Sequence, residues 1–98
     1  MSLPVVLNLA ADDDLFDAAQ WYEKRGAGLD VDLIAEVEDT CTRIGDNPEL
    51  YPELHSDVRR APVHRFPYGV FYRRRSNYIQ VIAIVHDARD PAIWQARV

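Results

Sequence analysis

The stretch from Val58 to Pro91 reads VRRAPVHRFPYGVFYRRRSNYIQVIAIVHDARDP, and its pattern decides the fold. Tyr78 to Val85 is a near-continuous run of β-branched, aromatic and apolar residues, the mark of a strand covered on both faces. Gly69 to Arg75 carries Val70, Phe71 and Tyr72 and joins that run through the polar turn at Arg75-Ser76-Asn77, so the two predict a hairpin. A third strand, about Val58 to Arg65, enters through Phe66-Pro67-Tyr68-Gly69, where Pro fixes φ and Gly permits a tight reversal.

Outward from this sheet, the first half reads as its cover. Pro4 to Leu9 is a short apolar run that predicts a first strand. Asp12-Asp13-Asp14 follows and is expected to cap a helix and place negative charge at its positive end; three consecutive helical residues do not converge on one metal ion. Leu15, Ala18, Ala19 and Tyr22 fall on one helical face. Gly26-Ala27-Gly28 breaks the pattern, and a second helix over Leu29 to Ile44 shows a stripe of Ile34, Val37, Cys41 and Ile44. Its carboxylates Asp32, Glu36 and Asp39 lie off that stripe and read as a solvated outer face. Gly45-Asp46-Asn47-Pro48 ends the helix, and Glu49 to Asp57 reads as a loop pinned by Leu50 and Tyr51. Past the last strand, Asp90-Pro91 predicts an N-cap and first helical residue, with Ala92 to Val98 a short helix that turns Trp94 inward. The fold class expected is α+β, in the order strand, helix, helix, three strands, short helix, with the helical hairpin on a small antiparallel-rich sheet.

The 98 residues are expected to form one domain, 1–98, with one core. One cysteine, Cys41, excludes an internal disulfide framework and fits a reducing compartment, so a cytoplasmic protein is expected. No apolar run reaches the roughly 20 residues of a membrane span, and the first residues lack the regions of a signal peptide. The net charge of −5 hides a division. Residues 1–57 hold fourteen Asp and Glu against three Lys and Arg, a balance of −11; residues 58–98 hold eight Arg against two Asp, a balance of +6. Arginine is favoured where a planar fork must hold carboxylate or phosphate, so the sheet half is expected to attract an anionic partner through Arg59, Arg60, Arg65, Arg73 and Arg89. The acidic first half argues against unselective nucleic-acid binding, which rests on the phosphate charge.

Five segments in order carry a resemblance: Trp21-Tyr22-Glu23, Asn47-Pro48 with Tyr51-Pro52, Val58 to Ala61, Arg65 to Tyr72, and His86 to Arg97 with its HxxRDPxxWxxR pattern. In this the chain resembles the toxins of the ParE and RelE superfamily over nearly its whole length. The resemblance implies a small sheet bearing a helical hairpin, and a cognate antitoxin that wraps and neutralises the toxin. It implies no cofactor and no metal. RelE-like members cut messenger RNA on the ribosome, whereas ParE-like members poison DNA gyrase.

Cutting RNA through its own 2′-hydroxyl needs a base, cations for the crowded phosphate and an acid for the leaving oxygen. If the chain is a ribosome-dependent endoribonuclease, His86, Tyr72 and Arg89 are the expected catalytic groups, with Tyr68, Arg65 and Arg73 near them. Each has a structural reading too: Tyr72 as a strand aromatic with its hydroxyl satisfied, His86 as the close of the last strand, Arg89 as a partner of Asp90 or of carbonyls. The sequence departs from the RelE-like pattern where those nucleases carry an arginine, a position occupied here by Tyr68 or Gly69, neither of which replaces a guanidinium. The expected function is therefore a ParE-like toxin acting on gyrase by contact. The alternatives are the nuclease and a non-toxic protein that keeps only the binding role.

Overall fold

The computed structural model describes residues 2–98. The run that anchors the sequence reading is a strand, Ile79–His86, the longest in the sheet. In chain order the elements are β1 (Val5–Leu7), α1 (Leu9–Glu23), α2 (Leu29–Asp46), β2 (Glu53–His55), β3 (Val58–Pro62), β4 (Tyr68–Arg74), β5 (Ile79–His86) and α3 (Ala92–Gln95). They form one five-stranded sheet in the order β1-β5-β4-β3-β2. Only the β1–β5 pair is parallel; the other three are antiparallel. The mixed α+β architecture and the helical hairpin are as the sequence predicts.

Burial on both faces explains the apolar run in β5. Ile79, Val81 and Ile84 join Val70, Tyr72 and Ala61 in the core beneath α1 and α2. Ala83, Val85 and Ile82 join Phe71 and Val58 on the opposite face, where Trp94 of α3 closes a second, smaller cluster. Phe71 pairs with Ala83 and Tyr72 with Val81, which leaves Ile82 as the extra residue of a β-bulge.

Several local readings need correction. The first helix begins at Leu9, and its cap is Asn8, whose Oδ1 accepts from the Ala11 amide at 2.9 Å. Helix formation thus starts three residues before the Asp triplet and shortens the first strand to Val5–Leu7. The buried stripe of α2 is Leu33, Val37, Thr40 and Ile44, with Leu33 and Thr40 where Ile34 and Cys41 are expected. Ile34 is 36% exposed and Cys41 is half-buried. Thr40 is fully buried because its hydroxyl donates to the Glu36 carbonyl at 2.8 Å. The helix also runs through Gly45 to Asp46. A Cβ at Gly45 would lie 2.6 Å from the Leu3 carbonyl, and its own carbonyl accepts from the Leu3 amide at 3.0 Å. Glycine here lets the N-terminal segment cross the helix.

The segment Glu49 to Asp57 contains β2, a three-residue edge strand that the sequence reading leaves as loop. The third strand stops at Pro62 instead of Arg65, which has a left-handed φ of 70° and belongs to the turn. The terminal helix spans Ala92–Gln95, shorter than expected, with Trp94 buried; its N-cap is Pro91 instead of Asp90, whose carboxylate still accepts from the Ala92 amide at 2.9 Å.

Candidate functional site

The five arginines expected to bind a partner do not form one patch, and four are already paired. Arg59 donates to the Tyr51 carbonyl at 2.5 Å and faces Glu53 at 3.4 Å. Arg60 pairs with Asp87 at 2.5 Å. Arg65 lies 3.3 Å from Asp32 and 3.8 Å from Glu36, and Arg73 binds Asp57. Arg74 and Arg97 are paired too, with Glu49 at 3.5 Å and Asp14 at 2.5 Å, while Arg75 donates to the Gln80 side chain. Among the described residues, Arg89 alone of the eight has neither an ion pair nor a side-chain hydrogen bond, and it is exposed. Five of the six ion-paired arginines take their carboxylates from residues 1–57. The charge division in the sequence is thus largely complementarity within the molecule.

Arg60 reaches Asp87 by lying across β4. A Cβ at Gly69 would collide with its guanidinium, so this glycine opens the path. The path ends at a groove of about 430 Å³ between α3 and β3, floored by Phe71, Val85 and Trp94 and edged by Leu54, Arg60 and Arg89. Phe71 and Trp94 stack with centroids 4.7 Å apart, and the His55 ring stands edge-on to Trp94 at 6.0 Å. On the other side of α3, toward α1, a second groove of about 430 Å³ has Trp21, Tyr68 and Arg97 in its walls. His86 and Arg89 line both grooves.

Of the expected catalytic groups, His86 and Arg89 share this junction, and the Tyr68 ring stands edge-on to His86 at 5.2 Å. The His86 Nδ1 accepts from the Ala88 amide at 3.0 Å. Tyr72 is elsewhere. It pairs with Val81, five residues along β5 from His86, which at about 3.3 Å per residue is a separation of about 16 Å. Its side chain is fully buried, and its hydroxyl donates to the Pro48 carbonyl at 2.8 Å. Burial pushes the Tyr72 phenol up to about 12. Tyr68 is also pushed up by burial, and Arg89 opposes that shift.

The arrangement at the C-terminus was not legible in sequence. β1 pairs only with Ile79 to Val81, so the outer edge of β5 beyond it lacks a strand. Asp14 and Arg97 take its place: Asp14 accepts from the Ile84 amide at 3.0 Å, and Arg97 donates to the Ile82 carbonyl at 3.1 Å. Their mutual ion pair ties α1 to the segment after α3. Of the Asp triplet, Asp14 is committed here, while Asp12 and Asp13 are exposed. Among the described residues, Glu36, Asp39 and His64 bring ligand atoms within 4.8 Å of one another, but Arg65 and Arg43 already face the two carboxylates.

The described residues include no helix long and apolar enough to cross a membrane. No curated protein matches the chain. A toxin-antitoxin structure, the chromosomal ParDE system of P. aeruginosa, is similar in fold: TM-score 0.74 at 16% identity, covering 87% of this chain and 96% of that one. The family described as the ParE toxin of the type II toxin-antitoxin system, parDE, matches over residues 5–91, so the chain belongs to the ParE toxin family.

Proposed function

We propose that this chain is the toxin of a type II pair, that it inhibits DNA gyrase by protein contact without a cofactor, and that a cognate antitoxin neutralises it. Family membership supports the toxin role. The observation that carries the mode of action is the dispersal of the groups an RNA-cutting site needs. Tyr72 is buried about 16 Å from His86 with its hydroxyl engaged, and Arg65 and Arg73 are held by carboxylates. A binding inhibitor needs none of them to move a proton.

One observation favours the alternative, a ribosome-dependent endoribonuclease: His86, Tyr68 and Arg89 border one groove. General acid or base catalysis contributes typically about 10²- to 10⁴-fold, so His86→Ala separates the readings. Less than a tenfold loss of toxicity, with antitoxin binding kept, is expected of the gyrase toxin. A loss of about 100-fold or more with an intact circular dichroism spectrum would favour the nuclease.

A further inference from the structure

The helical hairpin carries more apolar surface than its core stripe uses. Val31, Ile34, Glu38 and Cys41 alternate by three and four residues, so they form a second stripe along α2, beside the buried one. The Asp32 and Glu36 side of α2 faces Arg65, which turns this second stripe away from the β3–β4 turn and toward α1. The first helix repeats the pattern with Leu9, Asp12, Phe16, Ala19 and Glu23. Asp14, Asp17 and Trp21 line the groove on the α3 side of α1, so its stripe lies on the other side, toward α2. Leu9 at 85%, Val31 at 64% and Phe16 at 60% are the most exposed of the large apolar side chains among the described residues.

Charge selects what can cover this seam. Asp12, Glu23 and Glu38 stand on the two stripes, exposed and without an ion pair among the described residues. No Lys or Arg occupies a stripe position. Arg43 pairs with Asp39, Arg25 lies over the Trp21 ring at 4.1 Å, and Lys24 is the C-cap of α1, past the stripe. A second copy of the chain would set the same carboxylates against one another across a twofold axis, and nucleic acid would set its phosphates against them, so both are repelled.

We propose that the outer seam between α1 and α2 docks a basic amphipathic helix of another protein: its apolar residues cover Leu9, Phe16 and Ile34, and its flanking Lys or Arg side chains face Asp12, Glu23 and Glu38. Leu9 and Phe16 are two helical turns apart, about 10 Å, so the anchors of the incoming helix recur at i, i+3 or i+4, and i+7. The apolar contacts hold the helix, and the carboxylates set its orientation and encounter rate. The seam faces away from the sheet and from the His86–Arg89 junction, and its use is independent of the toxin reading above.

The test uses the full chain and two synthetic peptides of about 18 residues, five helical turns. One is built of Leu and Lys with Leu at the anchor spacing, and the other has Glu in place of every Lys. Calorimetry gives affinity, and amide chemical shifts locate the bound peptide. Saturable binding of the lysine peptide alone is expected, with shifts along α1 and α2. Phe16→Asp should weaken it by about tenfold or more although the change adds negative charge. Leu54→Asp makes the same charge change on the edge strand at similar exposure, 52%, and should stay within about twofold of the wild type. No saturable binding, equal binding of both peptides, or shifts confined to the α3 side of the sheet overturns the proposal. So does a Phe16→Asp variant that binds as tightly as the wild type, because charge alone would then explain the attraction. A wild type that sediments as a dimer, with Phe16→Asp a monomer, also overturns it, since a second copy would occupy the seam. Phe16 is mostly exposed, so its variant is expected to fold; Leu9→Ser, at the most exposed position, supplies the same comparison if it does not.

Discussion

The two faces of the sheet are closed in different ways. On one, two helices of 15 and 18 residues lay Ala11, Ala18, Leu33, Val37 and Ile44 against the strands and bury even the Tyr72 phenol. On the other, a four-residue helix covers the sheet with Trp94, leaving a groove on each side. A helix that short has no stability of its own. It stays in place through the Phe71–Trp94 stack, the Ala92 amide's bond to the Asp90 carboxylate and the Asp14–Arg97 pair. The thickly covered face secures the fold, and the thinly covered face leaves apolar surface open in its grooves.

Core truncations should break this contrast most strongly. Leu33 is fully buried under the hairpin, and Leu33→Ala is expected to cost about 4 kcal/mol, within the usual range for such deletions, with amide protection falling across all strands in hydrogen exchange. Trp94→Ala is expected to cost about 3 kcal/mol, with α3 released and lost protection centred on Ile82 to Val85 while the hairpin face stays protected. Uniform loss in both variants would mean that the faces are not separable.

Tyr72 sharpens the contrast by pH. Its phenol is neutral in the fold up to about 12, above the ordinary 10.0, so the unfolded chain loses that proton first. Stability from this group is full below pH 10 and is lost as pH rises toward 12. Tyr72→Phe should remove that alkaline loss at an expense of about 1 kcal/mol at neutral pH, since the Pro48 carbonyl loses its donor. Urea midpoints at pH 7 and 11 measure both. The smallest effect belongs to Arg73 and Asp57. The Arg73 hydrogen bond holds the Asp57 carboxyl below its usual range, so its contribution is present above pH 3.8 and fades as pH falls through the lowered value. Asp57 is more than half exposed, and Asp57→Asn should change the urea midpoint at pH 7 only within the spread of surface pairs, about 0–1 kcal/mol.

What the sequence made legible follows from where pattern and contact coincide. β5 and the β4–β5 hairpin are legible because their apolar runs are buried on both faces, and the two long helices are legible as helices, though not in their bounds, because apolar residues recur at the helical period. β2 escaped because its three residues are all exposed and pair with β3 through an irregular register, leaving no alternation to see. The α2 stripe slipped because Thr40 is a core residue, a placement its hydroxyl bond permits but its polarity hides. The HxxRDP segment singles out His86 and Arg89, which the fold brings to one junction, but the pairing of the other arginines does not show in the sequence. Charges can be summed along a chain, while their carboxylate partners, up to 83 positions away for Arg97 and Asp14, appear only once the chain is folded.

The most direct measurement is induction of this protein in cells lacking its antitoxin, with chromosome breaks and message ends mapped in the same culture. Gyrase-linked breaks and a DNA-damage response are expected, with messages uncut at codon positions. Abundant ribosome-dependent cuts beside intact chromosomes would contradict it and make the His86–Arg89 groove a nuclease site.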